Sequence, residues 1–246
     1  MSRPARFALR HPIIEGVAII DGAELHHLRD VMRLRAGATV SLLTAANVEH
    51  LARIERYEDD RAIVRIEKIA AVAKAAPLVL ATAIIKGPRM DFLVEKAAEL
   101  GVTDLWPMLC ERSVVRAPGA ERIGRWGRLA TAAAKQSLAP SVLAVHDPVE
   151  FASMIERTRS DSQSVLKLMC TVGAEPIASV VRRARPNSIV IACGPEGDFT
   201  DSEIAAAKDA GFTMAALGRS RLRSETAAIA AVSIAAAMLD ELRTGD

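Results

Sequence analysis

Ser188-Ile189-Val190-Ile191-Ala192-Cys193 runs directly into Gly194-Pro195-Glu196-Gly197, and a second apolar run, Met214 to Leu217, stops at Gly218. Between that glycine and the C-terminal apolar stretch lies Arg219-Ser220-Arg221-Leu222-Arg223-Ser224-Glu225-Thr226-Ala227. A strand-like run that breaks at glycine presents bare backbone at the strand's end, because a residue without Cβ allows torsions and approach distances that a side chain blocks. Pro195 stiffens the first loop. Two such loops beside a basic segment predict a pocket for a flat ligand next to a site for an anion. Taken singly, the first loop reads equally as a strand-to-helix turn and the arginines as a solvated face.

Working outward, the same alternation of short apolar runs and longer helical patterns extends back to Leu78. Strands are expected at Leu78 to Ile85, Asp104 to Met108, Val165 to Cys170, Ser188 to Cys193 and Met214 to Leu217. Helices are expected at Phe92 to Leu100, closed by Gly101, then at Glu121 to Gln136, Asp201 to Ala210 and Ser224 to Leu242. Thr200 followed by Glu203 has the spacing of a capping box, and Asp91 stands where an N-cap for Phe92 is expected. Alternating strands and helices predict an α/β domain with a mainly parallel sheet. Its binding crevice is expected beyond the carboxyl ends of the strands, where both glycine loops lie.

Before about residue 70 the pattern changes. Gly16 to Ile20, Thr39 to Leu43, His50 to Ile54 and Arg61 to Ile66 are short β-like runs separated by polar turns, which predict a small β-barrel. One helix interrupts it: Asp21-Gly22-Ala23-Glu24 resembles a capped start, and Leu25, Leu28 and Val31-Met32 recur at helical spacing. That helix carries His26, His27, Arg29 and Arg33. The alanine-rich stretch from Ala70 to Pro77 separates the two patterns, giving domains at 1–72 and 73–246.

An apolar fraction of 50% in 246 residues is enough for a packed core. Only 3% of residues are aromatic, too few for a broad base-stacking platform. A net charge of +2 gives no global attraction to nucleic acid, so local clusters must supply it. Cys110, Cys170 and Cys193 are odd in number and lack metal-ligand spacing, which argues against a disulfide framework or a zinc site and points to a reducing cytosol. The start of the chain has no secretory pattern, and Ala227 to Leu239 is short for a membrane span. No metal is expected.

Neither a dinucleotide fingerprint nor a phosphate-binding P-loop occurs, and no Ser/His/Asp or Cys/His constellation stands out. Catalysis by positioning therefore fits better than a covalent nucleophile. Lys86 and Arg89 precede the Phe92 helix at the loop end of the sheet, where they either meet phosphate or face solvent. Arg112, Arg116, Arg122, Arg125 and Arg128 surround Trp126, an arrangement open to RNA stacking or to a buried ring with solvated arginines.

In this order the motifs resemble the RsmE family of ribosomal RNA methyltransferases, within the SPOUT superfamily. The resemblance runs nearly end to end. It rests on Lys96-Ala97-Ala98-Glu99-Leu100-Gly101-Val102, on Gly194 to Gly197 with Phe199 and Glu203, on Leu217-Gly218 followed by Leu222 to Ala227, and on His27 to Leu34. It implies a PUA-like RNA-binding barrel and an α/β domain with a deep C-terminal trefoil knot. It also implies methyl transfer from S-adenosylmethionine to N3 of a uridine in the decoding region of 16S rRNA, within the small ribosomal subunit, by a homodimer in the cytoplasm.

Carried onto this chain, the resemblance assigns the cofactor to Gly194, Glu196, Gly197, Leu217, Gly218 and Leu222, with Thr171 at a third wall. Arg223 becomes the residue that orients substrate or cofactor. His27, Arg29, Arg33, Lys86, Arg89 and Arg116 are the expected RNA contacts. Ser220 and Arg221 depart from the family's usual arginine and isoleucine, Leu138 stands where an arginine is usual, and Asp198 replaces a second glycine. The alternatives are another SPOUT enzyme acting on a ribose or a tRNA base, or a non-catalytic RNA-binding assembly factor.

Overall fold

The computed structural model describes residues 4–9, 11–44, 48–69, 77–115, 118–137, 139, 141–159 and 165–244. The expected boundary at 72/73 lies outside them. The chain forms two compact units, one of Met1–Ala75 with Ala134–Val142, the other of Ala76–Ala133 with Leu143–Asp246. The first unit is therefore built from two separate stretches of sequence.

In the first unit, β1 (Arg6–Ala8), β2 (Val17–Asp21), β3 (Thr39–Leu43), β4 (Glu49–Tyr57) and β5 (Arg61–Ile69) form a curled sheet in the order β1-β3-β4-β5-β2. Only β1 and β3 run parallel; the other pairs are antiparallel. Register shifts between Leu51 and Ala52 and between Ile54 and Arg56 bend β4 against β5. Alternate residues such as Ala18 and Ile20, Val40 and Leu42, and Ala52 and Ile54 fill the inside with Phe7 and Leu28.

Helix α1 (Gly22–His26) passes into a π-helical stretch, His27–Val31, in which the Met32 amide reaches back to the His27 carbonyl at 2.9 Å. Leu25 and Leu28 are buried as their spacing predicts, but Val31 and Met32 are 57% and 42% exposed. The wider i→i+5 turn carries them off the buried face. Asp21 is the N-cap by position without capping through its side chain; its carboxylate pairs with His11 at 2.7 Å instead.

A buried ion pair locks this unit. Arg6, 6% exposed, holds both Glu49 oxygens at 2.9 Å, and Ser41 donates to the same carboxylate. Arg6 also donates to the Ala139 carbonyl, and Lys135 pairs with Glu24, so the stretch Ala134–Val142 is bonded to the sheet.

The second unit carries an all-parallel sheet of seven strands: β6 (Leu78–Ala83), β7 (Asp104–Leu109), β8 (Ala144–Val145), β9 (Val149–Glu150), β10 (Val165–Pro176), β11 (Ser188–Cys193) and β12 (Thr213–Ala216). The order is β12-β10-β11-β6-β7-β8, with β9 beside β7. Helices cover both faces, as a parallel sheet requires. On one face Leu78 and Leu80 meet α2 (Pro88–Glu99), α3 (Ala120–Ser137), α5 (Ile177–Ala184) and α7 (Ser224–Thr244). On the other, Val79, Ala81 and Ala83 meet α4 (Phe151–Arg159) and α6 (Asp201–Asp209). In α7 the buried residues Ala228, Ala231, Val232 and Ala235 follow helical spacing, their small side chains allowing close approach to the sheet.

Three particulars differ from the sequence reading, and a fourth decides between its alternatives. Helix α2 starts at Pro88, with Gly87 as its N-cap at φ 69°. Asp91 is inside the helix and holds the buried Trp126 indole at 3.0 Å and Arg125 at 2.8 Å. Of the two readings open for Trp126, the structure shows the buried ring, fully within the core. Strand β10 runs six residues beyond Cys170, with an irregularity between Cys170 and Glu175 opposite β12.

Candidate functional site

A cleft of about 370 Å³ opens beyond the carboxyl ends of β11 and β12 and beside β10 where its pairing with β12 becomes irregular. Cys170, Thr171 and Val172 form one wall, Gly194 to Glu196 with Asp198 a second, and Leu217 to Ala227, without Arg219, Glu225 and Thr226, a third. Its size suits a small-molecule ligand.

The β11 loop is shaped by two glycines, each for a different reason. A Cβ on Gly194 would lie 3.0 Å from the Phe199 ring, which is 3% exposed, so the glycine lets that ring pack under the strand end. A Cβ on Gly197 would lie 3.1 Å from the Arg112 Cβ. Arg112 donates to the Gly197 and Phe199 carbonyls at 3.1 and 3.3 Å and so holds the loop from behind. Asp198 adopts φ 64°, a left-handed conformation that its short side chain relieves by accepting from the Phe199 amide at 2.9 Å.

Below the loop, Thr200 and Glu203 form the expected capping box of α6. Glu203 also accepts from the Glu111 amide at 2.9 Å, and the Thr200 hydroxyl donates to Glu111 at 3.2 Å. The β7–α3 connection is thereby fastened to the base of the cleft. The Cys110 thiol at its start is pushed up to about 12, chiefly by burial and next by the charge of Glu203.

The second segment leaves β12 through Leu217 and Gly218, at φ 143°, and enters α7, whose first turn has the Ala227 amide bonded to the Arg223 carbonyl at 2.8 Å. Ser224 and Glu225 are buried, while Arg221, Leu222 and Arg223 are exposed along the cleft. Arg221 stands 3.7 Å from Asp198, an ion pair between two of the cleft's walls. At the end of β11 the Cys193 thiol is raised well above the usual thiol range, first by the neighbouring Cys170 thiol and next by burial.

Of the residues anticipated for the cofactor, Thr171, Gly194, Glu196, Leu217, Gly218 and Leu222 come together in this cleft with Arg223. Gly197 stands outside the lining and serves the Arg112 contact. Val172, Cys193, Asp198, Ser224 and Ala227 line the cleft outside the segments expected to surround the cofactor; the sequence offers Cys193 only as a metal or disulfide candidate, although it ends β11 next to Gly194.

The expected RNA contacts are dispersed. In the first unit, His27 is exposed with its ring 5.9 Å from that of Phe7. Arg29 donates to Asp30 and to the Asp59 carbonyl, each at 3.1 Å. Arg29 and next His26 hold the Asp30 carboxyl below its ordinary range. Arg33, at φ 53°, is exposed just after the π-helical stretch. In the second unit Lys86 is exposed, whereas Arg89 lies between the carboxylates of Glu196 and Glu225. Arg116 and Leu138 lie outside the described residues. Among the described residues no group of three or more His, Cys, Asp or Glu side chains is placed to hold a metal, and no helix is long and apolar enough to cross a membrane.

Fold and cleft together define a class: an RNA methyltransferase domain, matched over residues 72–236, preceded by an RNA methyltransferase PUA domain, matched over 20–67. Ribosomal RNA small subunit methyltransferase E of Synechocystis sp. is 29% identical over 93% of this chain and 75% of its own length. Its namesake in Bacillus subtilis is 26% identical over 92% of each chain. The crystal structure of the Neisseria gonorrhoeae enzyme of that name, bound to S-adenosyl methionine, superposes with a TM-score of 0.77 at 30% identity, covering 94% of this chain and 96% of that one. The chain belongs to the ribosomal RNA small subunit methyltransferase E family.

Proposed function

We propose that this protein transfers a methyl group from S-adenosylmethionine to N3 of a uridine in the decoding region of 16S rRNA. The observation that carries the proposal is the convergence of Gly194, Glu196, Leu217, Gly218, Leu222 and Arg223 on one cleft at the strand ends. The match to relatives of that name, one of them bound to this cofactor, supports it.

The cleft's donors fit the group. Leu217, Leu222 and Ala227 offer apolar walls to a flat base, and Gly194 and Gly218 leave their backbone uncovered on the strand-end side. When bound, S-adenosylmethionine supplies an electrophilic methyl on a positively charged sulfur. Uridine N3 carries a weakly acidic proton that must leave before its lone pair is free. The exposed Arg223 guanidinium at the cleft edge can stabilise the negative charge that then spreads onto the flanking carbonyls. Holding the two reactants in line supplies much of the remaining rate.

The rest of the proposal concerns partners and topology. An N-terminal domain, residues 1–72, binds RNA through His27, Arg29 and Arg33, and Lys86 is a further RNA contact in the domain that follows. The substrate is 16S rRNA within the small ribosomal subunit. The enzyme acts in the cytoplasm as a homodimer, and the segments around β11, β12 and α7 form the trefoil knot that the family resemblance implies. Labelled S-adenosylmethionine incubated with small subunits lacking the modification, followed by nucleoside mass spectrometry, tests it: N3-methyluridine is expected, and a methylated ribose or no transfer counts against it.

A further inference from the structure

We propose that Arg89 is a positioning residue that clamps the two cleft-forming segments together, and not an RNA contact. Arg89 is the second residue of α2, and its guanidinium reaches two carboxylates from different parts of the chain. Nη2 lies 3.3 Å from Glu196 Oε1 in the β11 loop, and Nη1 lies 3.6 Å from Glu225 Oε2 in the first turn of α7. One planar fork therefore connects the start of α2 to two segments more than a hundred residues further along the chain, both of which line the cleft.

The Glu225 end makes the arrangement more than a surface pair. The side chain is 11% exposed, and Oε2 has no hydrogen-bond donor among the described residues. A buried carboxylate oxygen without a donor is costly unless an opposite charge compensates it, and Arg89 is the cation beside it. Glu225 follows Ser224 and lies two residues from Arg223 and two from Ala227, all three of which line the cleft. Holding Glu225 thus fixes the start of α7, and holding Glu196 fixes the opposite wall. Arg89 is not itself part of the lining, so its action on a ligand is indirect.

The identity of the ligand rests on the methyltransferase reading; the clamp does not, and the test separates them. Hydrogen exchange on the ligand-free protein compares Arg89→Ala with the unaltered chain. Faster exchange is expected in both 194–198 and 224–228, with the melting temperature changed by no more than a few degrees. Unchanged exchange in both segments overturns the clamp. Titration with S-adenosylmethionine gives the second readout: Arg89→Ala is expected to weaken binding roughly tenfold. Arg89→Lys, which keeps the charge but cannot bridge both carboxylates, should fall between. In a Glu225→Gln background the Arg89→Ala effect should shrink, since the charge it serves is gone. A loss of RNA affinity with cofactor affinity and exchange unaltered would return Arg89 to the RNA surface. Failure of the unaltered chain to bind S-adenosylmethionine would remove the proposed function and leave the exchange result to decide the clamp.

Discussion

Arg112 Nη1 donates to the Gly197 carbonyl at 3.1 Å, joining two segments 85 residues apart. The contact gives Gly197 its role: the arginine's own Cβ occupies the space that any side chain at 197 would need. The β11 loop is thus shaped from behind, by the β7–α3 connection, as much as by its own glycines.

Gly197→Ala should therefore push the loop toward the cleft or displace Arg112. The expected result is weaker cofactor binding, by about tenfold, with Tm lowered by only a few degrees. Isothermal titration and thermal melting read the two effects. Unaltered affinity would mean that the loop tolerates a Cβ against Arg112, contrary to the 3.1 Å approach.

Asp91 is expected to matter for stability and not for chemistry. Its carboxylate accepts from the fully buried Trp126 indole at 3.0 Å. Asp91→Leu leaves that N–H without an acceptor and should destabilise the protein by about 1–3 kcal/mol. Asp91→Asn, which keeps an acceptor oxygen, should cost less. Denaturant midpoints for the two variants check the order, and equal losses would contradict it.

Arg223 is exposed on the cleft and is the residue proposed to face the substrate's charge. Arg223→Ala should lower methyl transfer by two or more orders of magnitude, within the range for loss of a transition-state charge partner. Folding should change little, because a solvated side chain contributes little to stability. Equal loss of both would assign the residue to structure.

The pH dependence follows from Cys110. Burial raises its thiol from 9.0 to about 12, so the folded protein holds that proton more tightly than the unfolded chain does. The associated stability is complete below about pH 9 and is lost as pH rises from there toward the folded value. Buried Cys193 shifts the same way. The denaturation midpoint should fall above about pH 9, less steeply in Cys110→Ala than in the unaltered chain. Cys110 should also resist alkylation at neutral pH in the folded state. Rapid modification there would contradict its burial.

Much of this was legible in the sequence because local patterns dominated. The runs at Leu78, Ser188 and Met214 are apolar enough to be buried strands, and the breaks at Gly194 and Gly218 put the cleft at their ends. The Thr200 and Glu203 capping box is a four-residue signal, legible without any distant contact. What escaped depends on contacts far apart in sequence. Nothing local tells that Arg6 will hold Glu49 and the Ala139 carbonyl, or that Asp91 will serve Trp126 instead of capping a helix. Helices α4 (Phe151–Arg159) and α5 (Ile177–Ala184) escape because neither opens on a capping signal such as the one that marks the equally short α6. The π-helical stretch after α1 defeats any reading at period 3.6, and so Val31 and Met32 were placed on the wrong face. Arg89 sits beside a lysine at a loop end, a pattern that suggests phosphate; only the fold brings Glu196 and Glu225 to it.

The most direct test of the central claim is methyl transfer from labelled S-adenosylmethionine to small ribosomal subunits taken from a strain lacking this enzyme, with the product nucleoside identified by mass spectrometry. Label in N3-methyluridine of 16S rRNA, abolished by Arg223→Ala, is the predicted result. Tight subunit binding without transfer would contradict it and identify the protein as an RNA-binding assembly factor.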